Sequence, residues 1–171
     1  GGGRSLSGRS REYLLSVGSN IEPERWVPRA LHLLRSRFDV VAVSALYRAP
    51  AVGASEPQPD FVNLAVRLRT DLPPRALREA CRRIEEACGR RRTADRFAAR
   101  SLDIDAVYEA PHVPADPSLP DPELLNEAYV LIPCAEIWPQ APHPHAAGTL
   151  ATLAAERFSG WAEAHRIGDA S

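Results

Sequence analysis

The sequence predicts an α+β fold with a strand–helix–strand–strand–helix–strand core, and three observations carry that expectation. Apolar residues switch between a period of about 2 and a period of about 3.6 in that order along the first two thirds of the chain. Residues suited to turns and helix starts sit at the switches. The 171 residues, 44% hydrophobic and 25% charged, have the length and composition of one soluble domain with a sizeable core.

The elements follow in order. Residues 13–17 form a short apolar strand, ended by the turn-forming Gly18-Ser19-Asn20. A helix is expected from about residue 24 to 37, with Trp26, Ala30, Leu33, Leu34 and Phe38 as its apolar stripe. Residues 40–48 are β-branched and alternating, and residues 61–70 repeat the pattern with Val62, Leu64, Val66 and Leu68 on one side. The connection between them, residues 49–60, is longer than a tight hairpin needs, and long loops in small domains are often binding loops. Asp71 opens a second helix with Pro73 and Pro74 in its first turn; Leu77, Cys81, Ile84 and Cys88 line one face until Gly89 stops it. A strand through Leu102, Ile104 and Ala106 completes a βαββαβ core of the ferredoxin-like kind.

After Tyr108 comes a proline-rich connector over residues 111–122. A helical segment with Leu124, Leu125, Ala128, Tyr129 and Ile132 follows, then a capped amphipathic helix over residues 149–158. His143-Pro144-His145 reads as a turn, because the proline separates the two imidazoles and no third ligand is near in sequence. Residues 1–10 are expected to be a flexible tail or cloning scar, residues 11–160 a single catalytic domain, and residues 161–171 a C-terminal tail.

Charge and cysteine usage exclude several classes. A formal net charge of -1 argues against a chain that coats nucleic acid or an anionic membrane, and only residues 75–100 are locally basic. No apolar run approaches the roughly 20 residues a membrane span needs. Cys81, Cys88 and Cys134 form no zinc-type cluster, and they fit buried, reduced thiols of a cytoplasmic protein.

The chemistry concentrates at Asp103 and Asp105. Successive strand residues point to opposite faces, so both carboxylates share one face while Leu102, Ile104 and Ala106 take the other. Magnesium is commonly held by one or two carboxylates plus substrate phosphates, and this pair suffices as a protein's share. Arg90, Arg92, Arg96 and Arg100 lie just upstream, with guanidinium forks that match phosphate oxygens. Together they point to magnesium-dependent polyphosphate chemistry, although an edge strand with a solvated acidic face beside a basic loop has the same spacing.

Five segments in register resemble a known family. They are Gly18-Ser19-Asn20, Tyr47-Arg48-Ala49-Pro50, Pro59-Asp60-Phe61-Val62-Asn63, Arg83-Ile84-Glu85 with Gly89-Arg90-Arg91-Arg92, and Arg100-Ser101-Leu102-Asp103-Ile104-Asp105. From about Tyr13 to Phe158 their order and spacing resemble the 6-hydroxymethyl-7,8-dihydropterin pyrophosphokinases of folate biosynthesis. The resemblance implies transfer of the β,γ-diphosphate of ATP to the hydroxymethyl group of the pterin, releasing AMP. It implies that Asp103 and Asp105 hold two Mg2+ ions, and that Arg90, Arg92 and Arg100 bind the phosphates, with Glu85 near the nucleotide. For the reduced pterin it implies stacking by Phe61 and Tyr129, a hydrogen bond to Asn63, and backbone contacts from Ala49, Pro50, Ala51 and Val52. ATP and the pterin are the expected partners, with no nucleic acid and no membrane, and the chain is expected to act as a monomer.

Two departures stand out. Phe97-Ala98-Ala99 replaces the family's usual tryptophan, glycine and proline, and Asp121 and Glu127 stand where a histidine and an arginine are usual. The acidic pair reverses local charge near a triphosphate. A non-catalytic pterin- or nucleotide-binding paralogue, a pyrophosphokinase for a related pterin, and a nucleic-acid-binding ferredoxin-like module are the alternatives.

Overall fold

In the computed structural model, residues 10–51, 56–89, 102–112 and 116–170 are described. Chain order runs β1 (Arg11–Ser19), α1 (Pro23–Arg37), β2 (Asp39–Val43), β3 (Leu46–Ala49), β4 (Phe61–Thr70), α2 (Pro74–Ala87) and β5 (Asp103–Ala110). It continues through α3 (Glu123–Asn126), α4 (Ala128–Ile137), α5 (Leu150–Arg157), α6 (Trp161–His165) and β6 (Arg166–Gly168). The strands form one antiparallel sheet in the order β5-β1-β4-β3-β6, and β2 pairs beside β3 on β4. With β2 and β3 counted as one interrupted strand, this is the ferredoxin-like α+β arrangement the sequence predicts, with helices added after β5.

Strand alternation divides the core into two. Tyr13, Leu15 and Val17 of β1, with Leu64, Val66 and Leu68 of β4 and Ile104 and Ala106 of β5, pack beneath α1 and α2. The opposite face, carrying Leu14, Ala65, Val107 and Tyr108, packs against Leu124, Val130, Leu131, Cys134, Leu150 and Leu153 of α3, α4 and α5. The central strands are thus covered on both faces, which is why Val62 through Val66 of β4 are buried consecutively rather than in strict alternation. All three cysteines are free and buried, and burial pushes the Cys81 thiol up to about 12, which leaves it protonated and inert at neutral pH. No helix among the described residues is long and apolar enough to cross a membrane.

Three expectations are corrected by tertiary contacts. Residues 40–48 are not one strand: the chain breaks at Ser44, whose side chain takes over the ladder. Its hydroxyl accepts from the Ala65 N–H at 2.8 Å and donates to the Ala45 carbonyl at 2.8 Å, so the buried backbone groups stay paired across the interruption. The second helix starts at Pro74, with Pro73 as its cap, and not at Asp71. Tyr13 donates to the Leu72 carbonyl at 2.7 Å and the Leu72 N–H donates to Thr70 Oγ1 at 3.2 Å, which holds this connector out of the helix. Finally, residues 161–168 are not a tail. They fold as α6 and β6, and β6 pairs with β3 while Trp161 packs on Tyr47 with ring centroids 5.7 Å apart.

The His143-Pro144-His145 turn forms as expected, with the His145 N–H donating to His143 Nδ1 at 3.1 Å. No group of three or more His, Cys, Asp or Glu among the described residues is arranged to hold a metal ion.

Candidate active site

Strand register assembles the site. Gly18 near the end of β1 is paired with Asn63 of β4 on one side and with Asp103 of β5 on the other, and Asn63 is paired in turn with Tyr47 of β3. Directly paired residues of antiparallel strands point to the same face. Asp103, Gly18, Asn63 and Tyr47 therefore form one row across four strands, on the face that α4 covers. The row behind it is Asp105, Ser16 and Ala65. At about 4.8 Å per strand, the backbones of Asp103 and Asn63 stand about 10 Å apart, with Gly18 between them.

At the acidic end, Leu102 and Ile104 are buried under α2, so Asp103 and Asp105 project together from the other face. Protein packed around the Asp105 carboxyl, then the charge and hydrogen bond of Asp103, then the charges of Glu85 and Glu123, push its pKa up to about 8. The residue is nevertheless exposed to solvent. Two carboxylates placed side by side on one face offer the paired hard oxygens that a dication takes. The donor set fits magnesium, which takes hard oxygens and completes its shell with phosphate and water.

Glu85 sits at the same end, on α2, which packs on the face of the sheet opposite the aspartates. It is 5% exposed, and its Oε2 accepts the N–H of Ile104 at 2.8 Å. β5 is the edge of the sheet, and this contact satisfies an edge N–H between the two aspartates. Glu85→Ala would strand that donor. The expected outcome is a loss of about 1–3 kcal/mol in urea-unfolding stability, largely restored by Glu85→Gln, which keeps an acceptor oxygen.

At the other end, Asn63 is 5% exposed, and its Nδ2 is buried with no hydrogen-bond partner among the described residues. A buried amide left unpaired is costly, and of the unpaired buried atoms among the described residues, which also include Arg67 Nε and Glu109 Oε1, this one lies on the row that carries Asp103. Phe61, on the same face, is half-buried and belongs to neither apolar cluster. Ala49 is buried opposite Phe61 at the end of β3, followed by exposed Pro50 and half-buried Ala51. Tyr129, near the start of α4, is half-buried. Burial raises its pKa, and the charges of Glu123, Glu127, Asp103 and Asp105 raise it further. Val52, Arg90, Arg92 and Arg100, as well as Arg96 and Phe97-Ala98-Ala99, lie outside the described residues.

Some site-building residues carried no clear signal in the sequence. Asn20 is 3% exposed and its Nδ2 donates to Gln58 Oε1 at 2.9 Å and to the Pro59 carbonyl at 3.2 Å. It thereby ties the turn after β1 to the end of the long loop, just ahead of Phe61. Its place in Gly18-Ser19-Asn20 suggested only a turn, and its long-range partners were invisible to local pattern. Asp121 has a local use as well: its Oδ1 accepts the Glu123 N–H at 2.9 Å and its own N–H donates to Val107, fastening the start of α3 to β5. Gly89 ends α2 as expected, at φ 77°, with Trp26 of α1 packed so closely that a Cβ would lie 3.2 Å from its ring.

Comparison with known proteins identifies the family. Residues 14–139 match the family model described as 7,8-dihydro-6-hydroxymethylpterin-pyrophosphokinase (HPPK). A Methylorubrum extorquens protein named 2-amino-4-hydroxy-6-hydroxymethyldihydropteridine pyrophosphokinase is 43% identical over 135 residues, covering 76% of this chain and 84% of the relative. A Bacillus subtilis protein of the same name is 33% identical over 131 residues, covering 74% and 77%. Among solved structures, a Plasmodium falciparum HPPK-DHPS chain (A437G, with STZ-DHP) superimposes with a TM-score of 0.69 at 12% identity. The match covers 96% of this chain and 48% of that one, so the chain spans about half the Plasmodium protein and shares its fold. With the family model spanning most of β1 to the end of α4 and close relatives aligned over most of their length, this chain belongs to the 7,8-dihydro-6-hydroxymethylpterin-pyrophosphokinase family.

Proposed function

We propose that the protein transfers the β,γ-diphosphate of ATP to the hydroxymethyl oxygen of 6-hydroxymethyl-7,8-dihydropterin. The oxygen attacks the β-phosphorus, the bond between the α–β bridging oxygen and that phosphorus breaks, and AMP leaves. The observation that carries this reading is the row across the sheet, with a carboxylate pair at one end and a buried, unpaired amide about two strand steps away at the other. Few ligands need both groups at once, and a flat heterocycle joined to a polyphosphate acceptor does.

In this reading Asp103 and Asp105 hold magnesium, two ions by resemblance to the family. When bound, the metal neutralises phosphate charge and orients the triphosphate. The chain's own groups do the rest. Asn63 offers a donor and an acceptor to the amide edge of the pterin, and Phe61 and Tyr129 supply ring faces for a planar heterocycle. The backbone of Ala49, Pro50, Ala51 and Val52 completes the pterin edge. Arg90, Arg92 and Arg100 clamp the phosphates, and Glu85, bonded to the Ile104 N–H, keeps β5 in place beneath the aspartates. Catalysis is then mainly positioning and charge stabilisation, as in phosphoryl transfer generally.

A second reading has a specific observation behind it: Glu123 and Glu127 add negative charge around Tyr129, beside the proposed triphosphate site. Such a protein would bind the pterin without turning it over. AMP formation from ATP and magnesium, with and without 6-hydroxymethyl-7,8-dihydropterin, separates the two. Pterin-dependent AMP is the expected result; pterin binding with no AMP would replace the enzymatic reading with the second one.

A further inference from the structure

We infer that Gly18 is a positioning residue of the pterin site: the missing side chain lets the Asn63 amide and the Phe61 ring sit against β1 and keeps the floor between Asn63 and Asp103 clear. The inference rests on the pterin reading above and adds to it a residue that itself makes no side-chain contact with either substrate.

A glycine inside a strand weakens it, and one that persists there marks a backbone requirement or a close approach. Backbone geometry gives no such requirement at Gly18. Among the described residues the glycines with positive φ are Gly89, Gly148, Gly160 and Gly168, so Gly18 has a conformation open to any residue. Close approach is what remains. A Cβ at Gly18 would lie 3.1 Å from Asn63 Oδ1 and 3.5 Å from Phe61 Cδ1. The first distance is tighter than ordinary packing and the second is normal contact. The burden of any side chain at position 18 therefore falls on the Asn63 amide.

That amide has little freedom to yield. It is 5% exposed, its Nδ2 is already buried without a partner, and Tyr47 occupies the paired position on its far side. On the opposite flank of Gly18 stands Asp103. A methyl group here would push the amide off its hydrogen-bonding direction and fill space on the line between the metal-binding and heterocycle-binding ends. The aspartates themselves would keep their places on β5.

The test is a double-mutant cycle on 6-hydroxymethylpterin binding, measured by calorimetry with magnesium and α,β-methylene-ATP present. Gly18→Ala is expected to weaken pterin binding by about 10-fold or more, since small misplacements of a positioning group have effects of that order. Affinity for α,β-methylene-ATP should stay within about twofold, a split that general structural damage would not produce. In an Asn63→Ala background the same substitution should cost nothing further. Equal pterin affinity in Gly18→Ala and the wild type, or an equal loss in both backgrounds, would overturn the inference. If Gly18→Ala lowers Tm, the double variant decides: recovery of Tm locates the conflict at Asn63, and no recovery refutes it. A wild-type protein that fails to bind the pterin at all would refute the pterin reading itself, and this inference with it.

Discussion

Asp103→Ala and Asp105→Ala are each expected to lower kcat by about 10³-fold or more while leaving the protein folded, because several kcal/mol of charge stabilisation on the transferring group depends on the pair. Neither side chain supports the core. Leu102, Ile104 and Ala106 anchor β5 on the other face, and Glu85 holds the strand's outer edge. In the metal-free protein burial first, and then the charge and hydrogen bond of Asp103, push the Asp105 pKa up to about 8, so the folded state holds this carboxyl at a cost near neutral pH. Removing Asp105 therefore lifts that cost, and the Tm of this variant without magnesium should hold or rise near neutral pH while activity collapses. Steady-state AMP formation over a magnesium titration, with a thermal melt of each variant, checks both halves. A variant that approaches the wild-type rate at saturating magnesium would remove these residues from the metal site.

Asn63→Leu carries the second large effect, and it separates binding from stability. Leucine is close to asparagine in shape. The substitution deletes a buried donor that has no partner, so the unliganded protein should be as stable as the wild type or more so. Pterin recognition should fall by about 10- to 100-fold, the equivalent of 1–3 kcal/mol for leaving the amide edge of the ligand unpaired. The loss belongs in the KM for pterin, with the KM for ATP little changed, since the phosphate end lies across Gly18. Undiminished pterin affinity in this variant would mean that Asn63 does not read the heterocycle. The same logic predicts that pterin raises the Tm of the wild type more than that of the variant.

Local pattern made much of this molecule legible. Alternation in residues 61–68 and 102–106 identified β4 and β5, and it put Asp103 and Asp105 on one face because side-chain period is a property of the strand alone. The elements that sequence could not resolve depend on partners far along the chain. The break at Ser44 exists because a hydroxyl bonds to Ala65 and stands in for a rung of the ladder. β6 is three residues long and has strand character only through β3. Glu85 looked like a helical acid near the nucleotide, and only the position of the β5 edge turns its carboxylate toward Ile104. Gly18 read as a turn residue; its relation to Asn63 and Asp103 appears only once register is known.

That register makes the sheet a ruler. The groups proposed to hold the two reactants stand on strands separated by a single intervening one, so the interval between them comes in whole strand steps of about 4.8 Å and resists fine adjustment by point substitution. Loops can widen, close or change sign around such a frame, as Asp121 and Glu127 illustrate at the rim. The distance from heterocycle to phosphate belongs to the hydrogen-bond ladder. Variation in this protein's choice of acceptor should accordingly be sought in ring substituents and charge, and an acceptor with a longer arm between ring and hydroxyl would meet a frame that cannot stretch to suit it.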